Sequence, residues 1–68
     1  MFSKNLFKAA IMRAGLSSKE LAQKIGISER TLYRKMSGDS DFTRIEIIEI
    51  RNLLNLSSAE LEEIFFAQ

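Results

Sequence analysis

Sixty-eight residues, 46% of them apolar, suffice for one small domain around a single hydrophobic core and no more. Cysteine and histidine are both absent, which excludes disulfides, thiolate nucleophiles, imidazole bases and zinc sites built on either residue, so a redox or zinc-dependent enzyme is out and no cofactor is expected. The formal charge of +1 favours no partner class by itself, while apolar runs far short of the roughly 20 residues that cross a bilayer, and the lack of a signal-peptide pattern, lead us to expect a soluble cytoplasmic protein with no membrane partner.

Proline is absent and glycine is limited to Gly15, Gly26 and Gly38, so helix boundaries rest on these glycines and on capping residues. The first helix, about 3–14, starts at the N-cap candidate Ser3. It carries Phe7, Ala10, Ile11 and Ala14 on one face and ends at Gly15. Ser17-x-x-Glu20 matches a capping box, in which the hydroxyl accepts from the N3 amide and the carboxylate from the N-cap amide. It opens a second helix over 18–25, with Leu21, Ala22 and Ile25 inward and Gly26 as its stop. Ser28 caps a third, 29–37, anchored by Leu32 and Met36 and ended by Gly38. Thr43-x-x-Glu46 opens a fourth over 44–54, with Ile47, Ile50 and Leu54 as its stripe. Ser57-x-x-Glu60 opens a fifth over 58–66, with Leu61, Ile64 and Phe65. Leu16, Ile27 and Leu56 fall in the connecting turns, where they plug the core. No period-two pattern competes, so an all-α single domain follows.

The near-neutral total hides a division along the chain. Up to Gly38, Lys4, Lys8, Arg13, Lys19, Lys24, Arg30, Arg34 and Lys35 face only Glu20 and Glu29. Beyond it, Arg44 and Arg51 face Asp39, Asp41, Glu46, Glu49, Glu60, Glu62 and Glu63. Such a field draws a polyanion to one side of a small protein and repels it from the other. Carboxylate pairs such as Glu62 and Glu63 diverge as neighbours on a helix and do not converge on a substrate, so no catalytic residue, enzyme activity or small-molecule substrate is expected.

Residues Leu21 to Leu32 read LAQKIGISERTL: a helix, a glycine turn and a second helix capped by Ser28. Ala22 is small where the second helix crosses, Gly26 takes the left-handed turn, and Ile25, Ile27 and Leu32 wedge the pair at a fixed angle. This segment resembles the helix-turn-helix of phage repressors and Cro proteins, the lambda-repressor-like or XRE family. The resemblance runs from Arg13-Ala14-Gly15-Leu16 through Ile47-x-x-Ile50-x-x-x-Leu54-x-Leu56 to the fifth helix. It implies a compact five-helix domain over 1–68, with the helix-turn-helix at 18–37, acting as a sequence-specific regulator of phage or prophage origin that binds double-stranded DNA. Two departures stand out. A buried Arg–Glu pair of several family members aligns with Ile11 and Met36, a replacement that leaves such folds intact. Lys35 takes a position that is more often apolar, and Met36 beside it is expected to fill that space.

A 100° step along the third helix turns Leu32 and Met36 inward and Arg30, Arg34 and Ser37 outward, with Thr31 and Tyr33 on the flanks. The resemblance places this helix in the major groove and its base-edge positions on Glu29, Arg30 and Arg34. An Arg fork can take guanine O6 and N7 together, and Glu can accept from cytosine N4. Glu29 has an alternative, an ion pair with Arg30 or Lys35. Phosphate contacts are expected from Ser17, Ser18 and Lys19 at the start of the second helix and from Ser28, Thr31 and Tyr33 beside the groove. The loop before the fourth helix adds Ser40, Thr43 and Arg44, although Asp39 and Asp41 are unfavourable there.

Ile45 and Ile48 lie off the main stripe of the fourth helix, and Phe66 follows Phe65, so there is more apolar side chain than one small core needs. The resemblance implies a homodimer on DNA, with Ile45, Ile48, Phe65 and Phe66 at its interface and two half-sites about 34 Å apart. The competing reading is a protein-binding adaptor or antitoxin-like module that uses the surface of the fourth and fifth helices. RNA is disfavoured because only Tyr33 offers an aromatic platform near the basic face.

Overall fold

Five side-chain oxygens set five helix starts. In a computed structural model that describes residues 1–66, α1 spans Lys4–Arg13, α2 Ser18–Ile25, α3 Glu29–Met36, α4 Arg44–Leu54 and α5 Ser58–Phe65. The hydroxyls of Ser3, Ser17, Ser28, Thr43 and Ser57 accept from the backbone amides of Leu6, Glu20, Thr31, Glu46 and Glu60. All three capping boxes close, because Glu20, Glu46 and Glu60 accept in return from the N-cap amides at 2.9, 2.8 and 3.1 Å.

The helix ends obey an equally local rule. The Leu16, Ile27 and Leu56 amides donate to the Ile11, Ala22 and Arg51 carbonyls, all at 3.0–3.1 Å. Each closes a turn around a left-handed residue, namely Gly15, Gly26 and Asn55, the last with φ 51°. Three junctions therefore share one plan, a left-handed residue, an apolar residue and a serine: Gly15-Leu16-Ser17, Gly26-Ile27-Ser28 and Asn55-Leu56-Ser57. In each, one apolar side chain closes the helix behind it and stands just ahead of the next N-cap, where apolar groups pack against the first turn. Leu56 is buried, and Leu16 and Ile27 are partly buried against the core, as plugs should be. The α3–α4 junction departs from the plan. Gly38 again turns left-handed, but Asp39-Ser40-Asp41 separates it from the apolar Phe42 and the cap Thr43.

Phe7, Leu21, Leu32 and Ile50 are fully buried, one from each of α1 to α4, and α5 adds Ile64 and Phe65. Ile11 and Met36, the apolar residues expected in place of an ion pair, are both in this core at 4% and 3% exposure. Ala14 corrects the sequence reading: α1 ends at Arg13, so Ala14 becomes its exposed C-cap and Leu16 turns inward. The spacing also overlooked two aromatic residues. Phe2 and Phe42 each precede an N-cap and join Phe7 and Phe65 in a cluster with ring centroids 5.2 to 6.0 Å apart. The Ser3 amide donates to the Ile64 carbonyl at 2.6 Å, tying the segment before α1 to the end of α5.

Helix α2 packs against α1, α3 and α4, and α1 also packs against α4 and α5. The extensive packing of α3 is on α2, so α3 lies at the edge of the bundle.

Candidate nucleic-acid interface

An edge helix with a short apolar stripe has a large uncovered face. Leu32, Lys35 and Met36 are the buried residues of α3. Glu29, Arg30, Tyr33, Arg34 and Ser37 are exposed, and Thr31 is half-buried on the flank, as the helical step required. Ser28, Glu29, Arg30 and Arg34 are thus on one accessible segment. The Ser28 hydroxyl accepts from the Thr31 amide at 3.0 Å and donates to Thr31 Oγ1 at 2.8 Å, so the two hydroxyls form one rigid unit at the start of α3.

The start of α2 is less open to an anion than its sequence suggested. The Ser17 amide and hydroxyl oxygen are engaged in the capping box, which leaves the Ser18 and Lys19 amides ahead of the first intrahelical donor, Leu21. Hydrogen bonds from the Ser17 amide and hydroxyl, aided by Lys24, hold the Glu20 carboxyl below the ordinary range against a small burial penalty, so it stays charged beside those amides. Lys19 and Ser17 are exposed and Ser18 is half-buried.

Lys35 overturns one expectation outright. Met36 does not replace it in the core; Lys35 is itself buried, at 9% exposure, and brings a partner. Its ammonium lies 2.8 Å from Glu46 Oε1, donates to the Asp41 carbonyl at 3.0 Å and sits 6.0 Å from the Phe42 ring centroid. Burial pushes the Glu46 carboxyl up, but hydrogen bonds from Lys35 and the Thr43 amide outweigh that and hold it below its usual value. Lys35 therefore engages Glu46 and not Glu29, which sits on the exposed face. Their pairing carried no local signal, since eleven residues and a helix boundary separate them.

A second ion pair, Arg13 with Glu60 at 2.6 Å, joins α1 to α5. Hydrogen bonds from the Ser57 amide and Arg13 hold Glu60 low as well. Two of the eight basic residues of the first half thus meet acids of the second half. The field that a polyanion meets is carried by the exposed Lys4, Lys8, Lys19, Lys24, Arg30 and Arg34.

In the loop before α4, Ser40, Thr43 and Arg44 are exposed, as are Asp39 and Asp41. Thr43 caps α4 while Arg44 begins it. Of the four residues assigned to a partner surface, Ile45 is 71%, Ile48 50% and Phe66 57% exposed. Phe65 is different: at 8% exposure its ring packs against Phe2, Phe7 and Phe42, so its side chain belongs to the core and is not open to a second copy.

The helix-turn-helix family model matches residues 7–61, which takes in α2, its turn, α3 and most of the supporting frame. The chain belongs to the helix-turn-helix family of lambda-repressor and Cro type. No curated protein and no solved structure matches it. This helix-turn-helix protein is accordingly a DNA-binding transcription regulator of XRE type, in a family that is not enzymatic. Among the described residues no helix is long and apolar enough to cross a membrane, and no group of His, Cys, Asp or Glu is placed to hold a metal ion. Within the helix-turn-helix, Ala22 is 1% exposed and Gly26 adopts φ 79°, in keeping with the close crossing and the left-handed turn that the motif needs.

Proposed function

We propose that this regulator reads a specific sequence in double-stranded DNA by seating α3 in the major groove, with Arg30 and Arg34 on base edges and Glu29 beside them. The observation that carries this reading is the uncovered face of α3, where two arginines one helical turn apart project from a helix whose opposite side is locked into the core. Ser18 and Lys19 at the start of α2, together with Ser28, Thr31 and Tyr33 along α3, supply phosphate contacts that fix register. Ser17 joins them, since its hydroxyl accepts from the Glu20 amide in the cap and a capping role is compatible with phosphate contact. Ser40, Thr43 and Arg44 extend the backbone contact from the far side of α3.

An eight-residue helix is about 12 Å long and covers one stretch of groove. Two copies on neighbouring half-sites roughly double the contact, and the exposed Ile45, Ile48 and Phe66 offer apolar surface for pairing. A homodimer on a phage or prophage operator is the assembly we propose.

Selection of bound duplexes from a random pool, at two salt concentrations, tests this directly. An enriched motif with two-fold symmetry is expected, together with a salt slope that counts the neutralised phosphates. Arg34→Ala should weaken cognate binding by about 1–3 kcal/mol and leave random duplex nearly untouched. Lys19→Ala should weaken both alike. Equal losses for Arg34→Ala on cognate and random duplex would refute its base-reading role, and a one-to-one complex at saturation would refute the dimer.

A further inference from the structure

The three short junctions close through backbone bonds of their own residues, with the Arg13–Glu60 pair reaching one of them only at its capping glutamate, whereas the longer one, 37–43, is gripped along its backbone by a side chain of α3. Lys35 reaches it at two points, the Asp41 carbonyl at 3.0 Å and the Phe42 ring at 6.0 Å, and reaches Glu46 in the first turn of α4 at 2.8 Å. Glu46 Oε1 accepts from both Lys35 Nζ and the Thr43 amide, so one oxygen joins the end of α3 to the cap of α4.

An ammonium is a costly way to fill a core position. A buried ion pair replaced by well-packed apolar side chains is often neutral or stabilising, so such a pair is better understood through the geometry it enforces than through the stability it adds. Here that geometry has a clear object. Lys35 is the immediate neighbour of Arg34, and the segment it grips carries Ser40, Thr43 and Arg44. The ammonium fixes the distance and orientation between the base-facing side of α3 and a stretch of exposed hydroxyls and cation that follows it in the chain.

We infer that Lys35 and Glu46 are positioning residues for DNA recognition: together they hold the 37–43 loop and the first turn of α4 at the height, relative to α3, at which Arg44 and its neighbours reach the phosphate backbone while Arg30 and Arg34 reach the bases. Neither residue touches DNA. This rests on the reading of α3 given under Proposed function. Its consequence is a separation of two properties: sequence preference stays with α3, while the loop's share of backbone contact depends on the clamp.

The test is Lys35→Met, which keeps a long side chain in the core without the charge, with Glu46→Gln as a second variant that retains an acceptor for the Thr43 amide. Thermal unfolding establishes that each variant folds, and Glu46→Gln decides if Lys35→Met does not. Amide hydrogen exchange on the free protein should quicken at Thr43 and Glu46, whose amides are held by the capping box at this junction, while the amides of α2 and α3 keep their protection. On DNA, affinity should fall for cognate and random duplex together, their ratio holding within about twofold, and the salt slope should lose roughly one counterion because Arg44 no longer meets its phosphate. Adding Arg44→Ala to Lys35→Met should then cost no more, whereas Arg44→Ala in the parent chain costs that same counterion. Unchanged affinity and slope in the folded variants would overturn the proposal, as would a collapse of the cognate-to-random ratio with the slope intact. If the parent chain binds no duplex at all, the functional reading falls and takes this one with it; if the parent binds and the variants match it, only the positioning role falls.

Discussion

The junctions after α1, α2 and α4 differ in kind from the one after α3. Each of the former is a left-handed residue, an apolar plug and a serine cap, and every hydrogen bond that forms it lies within six residues of chain. The latter has the same parts, Gly38, Phe42 and Thr43, pulled apart by Asp39-Ser40-Asp41, and a lysine from the preceding helix restores the connection. A turn that is short enough specifies itself. Three added residues hand that task to tertiary structure, at the junction that follows the exposed face of α3.

Glu46→Ala breaks the comparison hardest. It leaves the Lys35 ammonium buried without its counter-charge and opens a capping box, and it should cost about 3 kcal/mol in chemical denaturation. The corresponding changes at the short junctions, Glu20→Ala, which removes a cap from an exposed site, and Glu60→Ala, which removes a cap and the Arg13 pair from a half-exposed one, leave no buried charge behind and should cost distinctly less. A loss at Glu46 no larger than at Glu20 would erase the distinction between the two kinds of junction.

Acid should expose the same carboxylates by a gentler route. Glu20, Glu46 and Glu60 all have folded-state pKa values below the ordinary one. Their stabilisation is therefore complete above the unfolded-state value of about 4.3 and drains away as pH falls through the lower folded values. The urea midpoint should drop as pH falls below the ordinary glutamate range, and a variant with Gln at all three positions should show a flatter profile, since Gln keeps the cap without titrating. A full drop in that variant would place the acid sensitivity elsewhere.

Smaller effects sharpen the short junctions. A Cβ at Gly26 would meet nothing within 4 Å, so Gly26→Ala tests backbone conformation alone at φ 79°, and it should cost about 1–2 kcal/mol. Asn55→Ala should cost less, about 0.5–1 kcal/mol, because Asn already bears part of the left-handed strain that Gly26 avoids. Thermal melts resolve both, and the reverse order would mean that the plan of these two junctions is not the same.

These contrasts also explain what could be foreseen. Helix starts were legible because caps are local: Ser17, Thr43 and Ser57 each announce themselves three residues ahead of a glutamate. The outward face of α3 was legible for the same reason, since two 100° steps carry the chain from Arg30 to Leu32 and from Arg34 to Met36, onto the opposite side. Asn55 passed unnoticed as a left-handed stop because asparagine serves many other roles. Phe2 and Phe42 stand outside any helical stripe, yet each occupies the position before a cap, where an apolar residue packs on the first turn; the Phe2–Phe7 rings at 5.2 Å are such a pair. Phe65 looked like surplus for a partner surface until the aromatic cluster claimed it. The Lys35–Glu46 pair had no local signature, because its partners meet only after α3 and α4 have packed.

Tyr33 has a further use. It is the only tyrosine in a chain without tryptophan, it projects from α3 at 44% exposure, and the phenylalanines of the core absorb at shorter wavelength. Emission excited in the tyrosine band therefore originates from a single fluorophore on the outer side of one helix, so the unlabelled chain has its own optical probe of what approaches that side, silent to rearrangement in the interior.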